Sequence, residues 1–289
     1  MQGGNSAILS TIKLTKCTET NTVQQARPAR ARARPKAERW TLQLFVYNPN
    51  SSAAMTTLIA RQARAAASAG VTIAAGGATA PVPPSIEGHH DEAMAVPAML
   101  DALRRAEAAG AQAHVIACFD DPGLGAAREV VHGPVIGIAQ AAMQVATMLA
   151  SRFSIVTTLP RSVPIIEDMA LRYGMGHALR RVRAVDLPVL SLEADPAHAQ
   201  ALLEREIMQA RDHDGAEAVI LGCAGMSDMC ATLSAETGIT VIDGVHAAVR
   251  LAEALAGGGY QTAKTGAYGW PRDKSHDLSP LAALRKPAE

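Results

Sequence analysis

Aromatic residues are scarce in this chain: three Phe, two Trp and four Tyr make up 3% of 289 residues. Aliphatic side chains must therefore fill any core, and the abundance of Ala points to helices packed closely on a Val/Ile sheet. Net charge is also missing, with 27 basic residues against 27 acidic ones. No apolar run approaches the roughly 18 residues a membrane-spanning helix needs, so no membrane partner is expected. Cysteine is sparse, at four residues, and no C-x-x-C or other close ligand spacing occurs, which argues against zinc or any other metal site. Nothing in the sequence points to an oxidising compartment, so disulfides are not expected either. What is present is a chain with 48% hydrophobic and 19% charged residues, which excludes disorder as a whole and gives material for a sizeable core.

The balanced charge hides an asymmetry. Residues 1–39 carry eight basic and two acidic residues, leaving a mildly acidic body that argues against nucleic acid as a partner. The stretch from Arg27 to Pro35 alternates Arg with Ala and Pro and is low-complexity. Such a segment buries too little surface to offset its ordering entropy, so 1–39 reads as a disordered basic tail. It lacks the apolar centre of a secretory signal, and a cytoplasmic location is expected; its Ser/Thr/Arg-rich, acid-poor composition distantly resembles a transit peptide. Residues 271–289, with Pro271, Pro280 and Pro287, read as a surface tail.

From Trp40 the pattern is α/β. Strands are expected at 42–47, 71–74, 113–119, 133–138 and 154–159, with helices at 55–69, 91–109 and up to Ala150, and a loop over 76–84. Alternation of strands with helices implies parallel sheets covered by helices. An internal repeat sharpens this. Gly110-Ala111 precedes Cys118 by eight residues and Gly215-Ala216 precedes Cys223 by eight; fifteen residues after each Cys comes Gly133 or Gly238, opening an apolar strand. The offset is 105 at all three landmarks. Two similar lobes follow, each with a Cys at the C-terminal end of a buried strand, where open parallel sheets bind ligands.

A lone strand-end Cys is usually a small hydrophobe. Two at repeat-equivalent positions, each opening a turn toward a helix, point instead to chemistry. After Cys118 an Asp of the Asp120-Asp121 pair is read as an N-cap and Pro122 as the first helical residue, and a helix N-terminus is expected to lower the thiol pKa and to face its N–H groups toward a substrate oxygen. A thiolate and a thiol on opposite faces of a carbon acid form a two-base device: one takes the proton, the other returns it to the far side, and the stereocentre inverts. Cys17 lies in the tail and Cys230 reads as core. His89-His90-Asp91-Glu92 reads as a helix-start face rather than a metal site, and His246 is left outside the site.

At these residues the sequence resembles the hydantoin racemase branch of the Asp/Glu racemase superfamily, from about Leu42 to Pro271. The resemblance is carried by Asn48-Pro49-Asn50-Ser51-Ser52, Ser85-Ile86-Glu87-Gly88, Asp91-Glu92, the run Val115–Leu124 around Cys118, Phe153–Thr158, and Leu221–Met226 around Cys223. The two Cys motifs together are specific; the others alone are weak. It implies two pseudo-symmetric α/β lobes with the active-site cleft between them: lobe 1 over 40–139 plus 244–270, because the final helices return, and lobe 2 over 140–243. It implies Cys118 and Cys223 as paired acid/base groups and no cofactor. Asn48, Ser52, Thr157 and Thr158 should contact substrate, since neutral amides and hydroxyls match the C=O and N–H edges of an uncharged ring. The N–H groups of Phe119 and Ala224 are candidates for the ring carbonyls, and Ser85 and Glu87 follow a Pro-rich loop able to close the cleft. The resulting expectation is a cofactor-independent racemase of 5-monosubstituted hydantoins, acting as a homo-oligomer on a small-molecule cyclic ureide. Allantoin racemase is the neighbouring alternative. An Asp/Glu-type amino-acid racemase stays open through Arg161, close after Thr158, and the non-enzyme rival is a two-lobed small-molecule binding protein.

Overall fold

The computed structural model describes residues 41–272. The expectations for the basic tail, for Cys17 and Trp40, and for nearly all of 271–289 lie outside the described residues. In chain order the elements are β1 (Leu42–Asn48), α1 (Ala53–Ala66), β2 (Val71–Gly77), α2 (His89–Ala108), β3 (Ala113–Ile116), α3 (Leu124–Val130), β4 (Val135–Gly137), α4 (Ile138–Leu149), β5 (Phe153–Thr157), α5 (Val163–Arg172), β6 (Leu179–Ala184), α6 (Ser191–Ala194), α7 (Pro196–Asp212), β7 (Ala218–Leu221), α8 (Cys230–Thr237), β8 (Thr240–Ile242) and α9 (Gly244–Gly257).

Local chemistry sets these boundaries. Ser52 caps α1 by accepting from Met55 N, and Asp195 caps α7 through His198 N, with Pro196 at its first position. Asp243 caps α9 through Val245 N, and α8 ends at Gly238, whose φ of 69° is costly for a residue with a Cβ. The central strands β3, β5 and β7 are buried along their whole length, as expected of short apolar runs covered on both faces.

The strands form two parallel sheets, ordered β2-β1-β3-β4 and β6-β5-β7-β8. The repeat is thus a repeat of topology. In the first sheet Tyr47 pairs with Ile116, and in the second Val156 pairs with Leu221, so the carboxyl ends of the central strands coincide in register. Helix α9 packs on β1, β3 and β4 and on α4, while α4 also lies against β7. One apolar cluster runs from Val46 and Val115 through Met143 and Val249 to Phe153 and Ile220, joining the sheets through these two helices.

The structure shortens or moves several expected elements. β3 stops at Ile116, so Cys118 stands beyond the strand. β2 extends through Gly76 and Gly77, assigned to a loop from sequence because glycine disfavours strands; Gly77 is needed because a Cβ would meet Thr56 Oγ1 at 2.3 Å. No helix opens directly after Cys118: a turn intervenes, and α3 begins at Leu124 behind Gly123, so neither Asp120 nor Asp121 is its N-cap and Pro122 is not its first residue, contrary to the sequence reading. Cys223 is followed by a short 3-10 turn over Ala224–Met229 before α8. Phe153 is fully buried where the two sheets share their core. Phe153→Ala should cost about 3–5 kcal/mol of stability, measured by urea unfolding.

Candidate active site

The two cysteines sit in copies of one turn. The residue before each continues the ladder: Ala117 N donates to Tyr47 O at 2.9 Å and Gly222 N to Val156 O at 2.8 Å. The chain then folds back, Asp121 N donating to Cys118 O and Met226 N to Cys223 O, both at 3.1 Å. In each turn the N–H two residues past the cysteine, that of Asp120 or Gly225, faces the sulfur and favours its thiolate. Gly222 carries no side chain because a Cβ would press on Thr157 Cβ at 3.0 Å.

Both sulfurs line one small cavity, with about 30 Å³ of free space. The carboxyl ends of β1, β3, β5 and β7 surround it, at the position where parallel sheets bind ligands. The sulfurs are close enough that charge on Cys223 raises the pKa of Cys118. Burial, more than any charge, pushes Cys118 well above the ordinary thiol value, with Asp120 adding to it, and pushes Cys223 up to about 11. This reverses the expected lowering: no α-helix starts at either sulfur, and the single N–H at each does not offset desolvation. Repulsion between the two sulfur charges has a chemical consequence. Once one sulfur ionises the other is held as a thiol, the mixed state a two-base exchange requires.

The remaining sequence candidates divide by position. Phe119, Thr157, Thr158 and Ala224 line the cavity. The Thr157 hydroxyl donates to Gly222 O at 3.2 Å, tying β5 to the second turn, and neither Phe119 N nor Ala224 N donates to a backbone carbonyl. Asn48 and Ser52 do not line it. The Asn48 amide is spent on Asn50 Oδ1 (2.8 Å) and Thr56 Oγ1 (3.0 Å), and Ser52 caps α1. They shape the turn that brings Asn50 and Met55 to the cavity. Ser85 and Glu87 also stand behind the lining, with Ile86 between them reaching it. Glu87 Oε1 accepts from Ser85 Oγ and, at 3.2 Å, from Val189 N, joining the Pro-rich loop to the loop before α6. Asn50, Ser162 and Asp120 are lining residues that the sequence reading did not select. Asn50 was within reach, since it lies in the same Asn-Pro-Asn-Ser-Ser motif, but two asparagines at alternate positions of a turn cannot be ranked without coordinates.

Asp121 fastens the first turn. It is buried with φ 45°, a conformation that Asp tolerates better than most residues. Its carboxylate accepts from Ala139 N (3.1 Å) and Gln140 N (2.9 Å) at the start of α4 and from Tyr173 Oη (2.8 Å) beyond α5. Gly137 gives it room: a Cβ there would meet the carboxyl at 2.3 Å. The second turn is held differently, by Ser227 Oγ donating to Asp243 Oδ1 at 2.8 Å. His89 and His90 are exposed on the first turn of α2, and among the described residues no cluster of three or more His, Cys, Asp or Glu is placed to hold a metal. His246 faces Asp243 in a separate cavity, and Cys230 is buried in the core beneath the second sheet. No described helix is long and apolar enough to cross a membrane.

Residues 44–252 match the family described as Asp/Glu/Hydantoin racemase. A hydantoin racemase of Rhizobium meliloti is 55% identical over 234 residues, covering 81% of this chain and 97% of that protein. Among solved structures, an allantoin racemase from Klebsiella pneumoniae is 45% identical with a TM-score of 0.79, covering 83% of this chain and 98% of its own. An allantoin racemase from Pseudomonas fluorescens is 36% identical with a TM-score of 0.77, covering 81% and 99%.

The thiol environment has a direct consequence in solution. In the ligand-free protein Cys118 and Cys223 should contribute no thiolate ultraviolet absorbance at neutral pH and gain it only above pH 9.0, the ordinary thiol value. The difference between native protein and the Cys118→Ser and Cys223→Ser variants reads their share.

Proposed function

We propose, from the premise that this chain belongs to the Asp/Glu/hydantoin racemase family, that it is a cofactor-independent racemase of 5-monosubstituted hydantoins that uses Cys118 and Cys223 as its two bases. The observation that carries this reading is the pair of turn-equivalent sulfurs on one cavity. C5 of a hydantoin is flanked by a carbonyl and a nitrogen, so its proton is acidic and the anion is a planar enolate. One thiolate removes the proton while the opposite thiol supplies another, and the sulfurs exchange protonation states at each turnover. The N–H groups of Phe119 and Ala224 are positioned to take the charge that grows on a ring oxygen. Thr157, Thr158, Asn50 and Ser162 supply neutral polar edges to the ring, while Ile86 and Val189 close over it.

The lining weighs against a free dicarboxylic amino acid. Among the described residues no Lys or Arg lines the cavity, and the Arg161 guanidinium lies instead against Gly88, where a Cβ would meet it at 2.8 Å. Asn48, Ser52, Ser85 and Glu87 then act by holding the loops that carry Asn50 and Ile86. Allantoin, a hydantoin with a ureido substituent at C5, is the second substrate this reading admits, favoured by the allantoin racemase structures. We further place the protein in the cytoplasm as a homo-oligomer, with exposed Met148, Leu149 and Leu171 available to a second copy.

Two experiments test the reading. In deuterium oxide, an enantiopure 5-substituted hydantoin or allantoin should lose optical rotation and gain deuterium at C5. Tight binding with neither change would instead identify a binding protein. Cys118→Ser and Cys223→Ser should each reduce racemisation by about 10²–10⁴-fold. Each should still exchange the C5 hydrogen of one enantiomer, because a single sulfur can take and return a proton on its own face. Full racemisation by either variant would refute the two-base scheme.

A further inference from the structure

Among the described residues that line the sulfur cavity, Asp120 is the one carboxyl, and no Lys, Arg or His accompanies it. Its neighbour Asp121 is fully engaged with three donors, whereas among the described residues no hydrogen bond stabilises the Asp120 carboxyl; the charges acting on it come from Glu92 on α2 and from Asp121, both acidic. Its own charge reaches both sulfurs, raising each, and it lines the same cavity, so a guest held between the sulfurs meets that charge. An unpartnered carboxylate in a desolvated cavity attracts N–H donors and repels anions strongly, since little water screens it.

We propose that Asp120 is the specificity-determining charge filter of this cavity, accepting an N–H of an uncharged cyclic ureide and refusing the ring-opened form of the same molecule. Resting on the racemase reading, this gives the filter a definite pair to separate. Hydrolysis of one ring C–N bond turns a neutral hydantoin into an N-carbamoyl amino acid, which keeps the same stereocentre and side chain but carries a carboxylate beside it. Charge therefore separates the two in addition to the loss of the planar ring. Burial and the facing acids lift Asp120 to about 7, so the filter operates above neutral pH and relaxes below it.

The test uses two thiol reagents that differ chiefly in charge, iodoacetamide and iodoacetate. In each case the thiolate displaces iodide, forming the S–C bond as the C–I bond breaks. Alkylation of Cys118 and of Cys223 is scored separately by peptide mass spectrometry in wild type and Asp120→Asn. Removing the carboxylate speeds both reagents, because it also lowers both thiols, so the ratio of the two rates is the readout. Above neutral pH the wild-type preference for the neutral reagent should exceed that of Asp120→Asn by at least about tenfold. In wild type the preference should fall as pH drops through about 7, the Asp120 value, with a lower midpoint in Glu92→Gln; in Asp120→Asn it should stay flat. Equal ratios in the two proteins, or a flat wild-type profile, would overturn the proposal, and the wild-type profile decides the matter even where the variant does not fold. A second arm measures inhibition by an N-carbamoyl amino acid, which should strengthen by at least about tenfold in Asp120→Asn; unchanged inhibition also counts against the filter. The alkylation arm needs no turnover, so its failure is distinct from failure of the racemase reading.

Discussion

Desolvation of two thiols that face one small space is the constraint on which the rest of this structure depends. A sulfur in water ionises near its ordinary value and has no particular partner. Here burial raises both, and the charge of Cys223 adds to the rise at Cys118, so the two sulfurs do not carry charge together. A symmetric two-base exchange needs that condition, because a second thiolate would have no proton to deliver. The cost is that the reactive form is the minor one in the empty protein. The backbone N–H groups of Asp120 and Gly225 moderate this cost without removing it.

Holding the sulfurs on one cavity is the task of the scaffold. Two sheets of identical strand order present the ends of β3 and β7, and the same turn follows each. Each turn is then anchored by a carboxylate to the helix that follows the next strand, α4 or α9, but not by the same residue. In the first, Asp121 leaves its own turn to cap α4 and to receive the Tyr173 hydroxyl. In the second, the α9 cap Asp243 stays on its helix and receives Ser227 from the turn. The outcome is similar anchoring by different means, and it leaves the two faces chemically unequal: Asp120 carries a carboxyl where the second turn has Gly225.

That inequality bears on recognition. Among the described residues the lining combines neutral hydroxyl and amide groups with one acidic side chain and no base. Such a surface fits a small uncharged ring rich in N–H and carbonyl groups, the chemistry of a cyclic ureide, better than it fits a zwitterion with two carboxylates. The flanking loops add apolar shape through Ile86 and Val189, while Glu87 stays behind them as a tie whose charge raises Cys223.

Much of this was legible in the residues. Continuous apolar strand runs, the alternation with helices and the 105-residue offset define parallel sheets and a duplicated strand end, because periodicity and buried β-branched runs are local properties. The pairing of Cys118 with Cys223 followed from that duplication. What local pattern could not decide was how the chain behaves just past each strand. Helix starts, thiol pKa and the choice among neighbouring polar side chains depend on what packs against them from elements far away in sequence. An Asp ahead of Pro122 forms a plausible helix start in isolation, yet Asp121 is drawn to α4 and Tyr173 instead. Asn48 has the chemistry of a ligand-binding residue, yet its amide is consumed by Thr56 while Asn50 faces the cavity. The sequence by itself determined the repeat and the two sulfurs; only the tertiary structure decided which polar groups around them remain free, since a side chain's availability depends on every other group competing for it.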